Sequence, residues 1–142
     1  MRDLSQIKEK IGHLQTFFHQ QRQVMTVYIF GSFGTSEQSP LSDIDLAVLF
    51  DSNLSLLDEL RFAAEVSSVL GRDDVDVINL NKAPVYIQHR AIYSGSRIYE
   101  KTPEKTQDFI ENVLEEYHDY EFIYRKFQDD CRLGLMEEYL DG

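Results

Sequence analysis

Apolar side chains recur along residues 3–20 at helical spacing, with Leu4, Ile7, Ile11, Leu14 and Phe18 on one stripe, which predicts an amphipathic helix. The period then changes. Val24 to Phe30 is a run of β-branched and aromatic residues ending at Gly31, which predicts a buried strand, and Ile44 to Phe50 is a second such run. Leu54 to Leu70 returns to helical spacing and is stopped by Gly71 as a C-cap. Val75 to Leu80 predicts a third strand, Pro84 to Tyr93 a short helix closed near Gly95, and Arg97 to Glu100 a fourth, edge strand. Between the first two strands, Gly31 to Ser42 is punctuated by Gly, Ser and Pro, with room for a short helix inside it.

The last predicted element is long. Pro103 suits a helix first turn, and little interrupts the pattern until Gly134. Ile110, Val113, Tyr117, Tyr120, Tyr124, Phe127 and Cys131 fall at alternating steps of three and four, a heptad-like stripe that calls for a packing partner. The expectation is that half of it packs on its own domain, on the helix at residues 3–20, and that the rest docks a partner helix or a second copy. The alternation of strands and helices implies an α/β (α+β) fold: a small mixed sheet of about four strands packed with helices, plus a long C-terminal helix. No repeat, low-complexity tract or linker marks a boundary, so the reading is one domain over 1–142, with a core at 1–102 and a helical extension at 103–142.

Composition narrows the class. Hydrophobic residues make up 42% of the 142, enough for a real core. No apolar run approaches the roughly 18 residues of a membrane span. The N-terminal stretch is polar, without the apolar segment of a signal peptide, which points to the cytoplasm and no membrane partner. The single cysteine, Cys131, excludes an internal disulfide or a cysteine-cluster metal site and reads as a packing residue. The net charge is −11, and 12 of the 25 acids but only 4 of the 14 bases lie from Pro103 onward. A protein that held nucleic acid directly would show a basic stripe, and none is visible. A phosphate-bearing ligand must therefore bind at a local site, with a cation masking the repulsion.

The candidate chemistry lies between Phe30 and Asp76. Asp43 and Asp45 stand two apart on the second strand, so they project to the same face while Ile44, Leu46, Val48 and Phe50 face the opposite core. Two residues of rise set them about 6.5–7 Å apart, close enough to grip one or two hard cations. Mg²⁺ is the natural choice, since it takes one or two protein carboxylates plus substrate phosphates. Asp76, between Val75 and Val77 in an apolar strand, is the third acid if that strand neighbours the second. Three acids, two metals and a phosphate ester suit in-line nucleotidyl transfer. Gly31 lets the backbone approach phosphate oxygens, and Ser32 can donate to them. Asp74 could share the face of Asp76, but a strand-start acid is more often solvated. His13, His19, His89 and His118 show no ligand spacing, and no GxSxG elbow surrounds Ser32.

Gly31-Ser32, ten intervening residues, then Asp43-Ile44-Asp45, resembles the GS-x10-DxD motif of polymerase-β-like nucleotidyltransferases. Within them the short chain most resembles the minimal nucleotidyltransferases, the antitoxin halves of HEPN/MNT toxin–antitoxin pairs, over about residues 1–102. The resemblance implies the polymerase-β-like fold, with Gly31 and Ser32 holding the triphosphate and Asp43, Asp45 and Asp76 as catalytic metal ligands for Mg²⁺. It further implies ATP as donor and a tyrosine of a cognate HEPN RNase toxin as AMP acceptor, whose modification silences the toxin. One departure stands out: Thr35 and Ser36 occupy places where many members have Arg and Gly, and Lys82 and Arg90 are the candidates to replace that guanidinium. Two rivals follow. One is a nucleotidyltransferase-fold antitoxin that neutralises its partner by binding alone, which the altered loop favours. The other is a small-molecule adenylyltransferase, for which 142 residues leave little room. An RNA-tailing role is disfavoured by the charge.

Overall fold

The computed structural model describes residues 3–31, 33–35, 38 and 43–141, with the side chains of 132–141 outside the description. Four strands form the sheet: β1 (Val24–Phe30), β2 (Ile44–Phe50), β3 (Val75–Asn79) and β4 (Ser96–Glu100). They lie in the order β3-β2-β1-β4, with β1 antiparallel to both β2 and β4, and β2 parallel to β3. The parallel step needs a crossover, supplied by α2 (Leu56–Leu70). A 3₁₀ turn at Ser5–Ile7 leads into α1 (Lys8–Gln20), α3 (Val85–Ser94) precedes β4, and α4 (Pro103–Asp141) ends the chain.

The alternation along β2 sorts the two faces. Ile44, Leu46, Val48 and Phe50 are buried with Leu14 and Phe18 of α1 and Phe62, Val66 and Leu70 of α2. Ala47 and Leu49 point the other way and pack with Tyr28, Phe30, Leu80 and Ala91, beside Phe109 of α4. Helices α1 and α2 thus cover one face, and α3 with the first turns of α4 covers the other. On the α1/α2 face the rings of Phe17, Phe18, Phe50, Phe62 and Tyr99 cluster, with Phe18 and Phe62 stacked at 6.1 Å between centroids. Helix α2 is capped at both ends: Ser55 accepts from the Asp58 amide at 3.2 Å, and Gly71 sits at φ +66° with its N–H on Ser67 and Ser68 carbonyls. That backbone conformation favours glycine.

Helix α4 departs from expectation in three ways. It continues through Gly134 to Asp141. Its inner half packs on α3, not on α1: Thr106 bonds Thr26 of β1 at 2.6 Å in a buried contact, Val113 is buried, and Tyr117 stacks on His89 at 3.6 Å. The α1 face was already filled by α2, so the α3 side was the free one. Cys131 is exposed rather than packed, because the stripe runs past the edge of the core. Among the described residues no helix is long and apolar enough to cross a membrane.

Phe18, fully buried at the centre of the ring cluster, tests this core. Phe18→Ala is expected to lower the free energy of unfolding by about 3–5 kcal/mol, read by denaturant titration.

Candidate active site

Sheet register assembles the site. Parallel pairing sets Asp45 of β2 opposite Asp76 of β3, and antiparallel pairing sets Phe30, the last residue of β1, opposite Asp45. Neighbouring strands lie about 4.8 Å apart, so the two carboxylates are side by side. Asp43 immediately precedes β2, and the Ile44 amide is anchored on the Asp74 carbonyl at 3.0 Å. The strand alternation turns Asp45 and Asp76 towards the α3/α4 face of the sheet, at its end where β1 finishes and β2 and β3 begin, with Asp43 near enough for its charge to act on Asp45.

Gly31 closes the site from the β1 side. Its φ is +82°, and a Cβ placed on it would stand 2.3 Å from Asp45 Oδ2. The glycine is therefore required twice, for its left-handed backbone and for the carboxylate lying against it. Ser32 lies outside the described residues.

Asp45 is half-buried while Asp43 and Asp76 are exposed. Burial pushes the Asp45 carboxyl above its ordinary value of 3.8, and the negative charges of Asp76 and Asp43 push it the same way. A hydrogen bond shared with Asp76 adds to the rise, and the positive charge of Arg90 opposes it. The cluster is thus under-compensated by the protein's own cations. Among the described residues no three His, Cys, Asp or Glu side chains form a ready-made metal cage. The donor set suits Mg²⁺ nonetheless, because that ion is held by one or two carboxylates and completes its shell with water and substrate phosphates. Asp43, Asp45 and Asp76 are the residues that fit it.

The neighbouring charges are already sorted. Asp74 forms a two-bond pair with Arg72, at 2.7 and 2.5 Å, which holds its carboxyl below the usual range and keeps it out of the cluster. Lys82 is committed elsewhere, 3.3 Å from Glu59 and bonded to the Leu54 carbonyl at 2.9 Å. Of the two cations named as replacements for the missing loop arginine, Arg90 is the one whose positive charge acts on Asp45. Arg90 also lines a groove of about 600 Å³ between α3 and α4, with His89, Tyr93, Tyr117, Tyr120 and Tyr124. Sequence reasoning missed this groove. His89 and Tyr117 are 28 positions apart, and only the α3–α4 packing brings them together.

Comparison with known proteins identifies the family and the fold. Residues 12–104 match the family described as polymerase beta, nucleotidyltransferase. A candidate protein adenylyltransferase of Methanocaldococcus jannaschii is 41% identical over 64 residues, 45% of this chain and 68% of that one. The protein adenylyltransferase MntA of Shewanella oneidensis is 29% identical over 77 residues, 54% of this chain and 55% of its own. In fold, the chain is similar to one in a toxin–antitoxin crystal structure with AMP-PNP, with a TM-score of 0.71 and 22% identity over 85% of this chain and 97% of that one. It is also similar to one in the complex of tri-AMPylated Shewanella oneidensis HEPN toxin with MNT antitoxin, with a TM-score of 0.67 and 23% identity over 89% and 97%.

Two outcomes are expected. Gly31→Ala forces the Asp45 carboxylate to move, so Mg²⁺-dependent nucleotide binding measured by calorimetry should fall at least tenfold while the fold persists by circular dichroism. The raised Asp45 value means the fold binds that proton more tightly than the unfolded chain does. The associated stability is present below the ordinary carboxylate value and is lost as the pH rises through the raised one. Asp45→Asn should therefore raise the melting temperature of metal-free protein at pH 7. The gain should shrink towards pH 4 and on saturation with Mg²⁺.

Proposed function

This chain belongs to the polymerase beta nucleotidyltransferase family, and from that premise we propose that it is an antitoxin that transfers AMP from Mg-ATP to a tyrosine of a HEPN RNase toxin. The observation that carries the reading is the register pairing of Asp45 with Asp76, with Asp43 near enough for its charge to act on Asp45 and Gly31 against Asp45. The relatives named as protein adenylyltransferases support the donor and the transfer, and the fold shared with toxin–antitoxin chains supports the partner.

In this reading Gly31 and Ser32 line the triphosphate path, and Asp43, Asp45 and Asp76 hold Mg²⁺, two ions in the full form of the mechanism. The metal supplies charge neutralisation of the triphosphate and lowers the pKa of the attacking hydroxyl. The tyrosine oxygen attacks the α-phosphorus in line, forming an O–P bond as the bond to pyrophosphate breaks. The phenolic proton passes to Asp76, the exposed acid of the pair. Arg90, whose positive charge acts on Asp45, is the guanidinium that would orient an anionic ligand by paired hydrogen bonds. We read residues 1–102 as the catalytic core and 103–142 as a helical extension, in a cytoplasmic protein with no direct nucleic-acid partner.

A second reading rests on Thr35, which stands where related loops carry arginine: neutralisation by binding alone, with the site vestigial. One experiment separates the two. Intact mass of the co-expressed partner after incubation with this protein, ATP and Mg²⁺ should rise in whole AMP units. Asp43→Asn should reduce the rate by more than about a hundredfold, the scale of losing one transition-state stabiliser. An unmodified partner in a tight, inactive complex would establish binding alone.

A further inference from the structure

The outer half of α4 meets α3 at Tyr120, stacked on Tyr86, and beyond it the described side chains are almost all exposed. The helix is about 58 Å long at 1.5 Å per residue, and residues 118–131 touch solvent on almost every side. Yet Ile123 and Phe127 are each 65% exposed, and Tyr120 and Tyr124 stand beside them. The inner end of this surface is the groove between α3 and α4, where Tyr120 and Tyr124 meet Arg90. One aromatic surface therefore runs from that groove outwards along α4.

Charge decides what covers it. Glu116, Asp119, Ile123, Phe127 and Asp130 follow one another at steps of three and four, so they form a single ridge with acids at both ends and apolar side chains between. Arg125 is already paired with Glu121 on the same helix, and Lys126 is the other base between Glu116 and Asp130, against five acids. A second copy would bring two such ridges together, acid against acid, from segments that each carry four bases to twelve acids. Like charges at that range repel.

We infer that this ridge is the docking surface for the acceptor protein and receives an amphipathic helix with an apolar stripe flanked by Lys or Arg. The inference rests on the transfer reading for the identity of the acceptor, but not for the surface itself. A helix laid along α4 reaches the groove that Arg90 lines between α3 and α4. Recognition is of the helix-in-groove kind, with apolar anchors at helical spacing and charge at the rim setting orientation.

The test uses the full chain and two synthetic amphipathic peptides with the same Leu/Phe stripe, one flanked by lysines and one by glutamates. Fluorescence anisotropy should show saturable binding of the lysine-flanked peptide and none of the glutamate-flanked one. Ile123→Gln with Phe127→Gln should weaken binding at least tenfold; both positions are exposed and leave the core untouched. Phe122→Gln, outside the ridge, should leave it unchanged. Equal binding of the two peptides, binding of neither, or full binding by the double variant overturns the proposal. So does a stable dimer in sedimentation that the double variant dissolves, which would make a second copy the occupant. Asp43→Asn should leave peptide binding intact, so loss of AMP transfer to the partner and loss of docking are read separately.

Discussion

Three carboxylates at one end of a sheet are the constraint around which the molecule is arranged. The parallel pairing of β2 with β3 puts Asp45 beside Asp76, and burial of Asp45 raises the cost of keeping it charged. An apolar fold gains nothing from such a pair. The neighbouring elements nevertheless hold it open: Gly31 gives up a side chain so that the Asp45 carboxylate fits, and Arg72 draws Asp74 away. Lys82, held by Glu59, lies next to Asn81 at the Phe50 end of β2, away from the acids. The arrangement makes physical sense for a site completed by a cation from solution.

The two-faced sheet is what allows this. With Ile44, Leu46, Val48 and Phe50 sealed against α1 and α2, the opposite face of β2 needs less apolar cover, and Ala47 and Leu49 meet α3 and α4 only beyond the acids. The site therefore occupies the end of that face where α3 finishes, at Gly95 beside Ile29. Stability sits on the α1/α2 side around Phe18 and Phe62, and chemistry on the other.

Most of this was legible in the sequence. β1 and β2 were read to the residue, since β-branched runs ending at Gly31 and Asp51 leave little freedom, and the closeness of Asp43 to Asp45 follows from their two-residue spacing alone. The adjacency of β2 and β3 was a condition that only the sheet order could meet. The need for Gly31 was visible as a turn signal, but its close contact with Asp45 was not, because that depends on where β1 ends relative to β2. The packing of α4 was misassigned for a comparable reason. A heptad stripe states that a partner exists without naming it, and the competition between α1 and α3 is settled by which sheet face is already covered. Cys131 followed the stripe into solvent, and His89 gained its role from Tyr117 across the α3–α4 contact.

The acidity of the chain then has a common explanation at its two ends. In the proposed transfer, the under-compensated cluster at the sheet end repels a free triphosphate and admits it once a divalent ion has reduced its charge. Along α4, acids bracketing Ile123 and Phe127 repel a second copy of the same helix and admit one with basic flanks. In both places the apolar or chelating chemistry supplies the attraction, and the negative charge selects who may approach. Arg90 lines the groove, and its positive charge acts on Asp45. A single guanidinium orients an anionic ligand without neutralising the cluster.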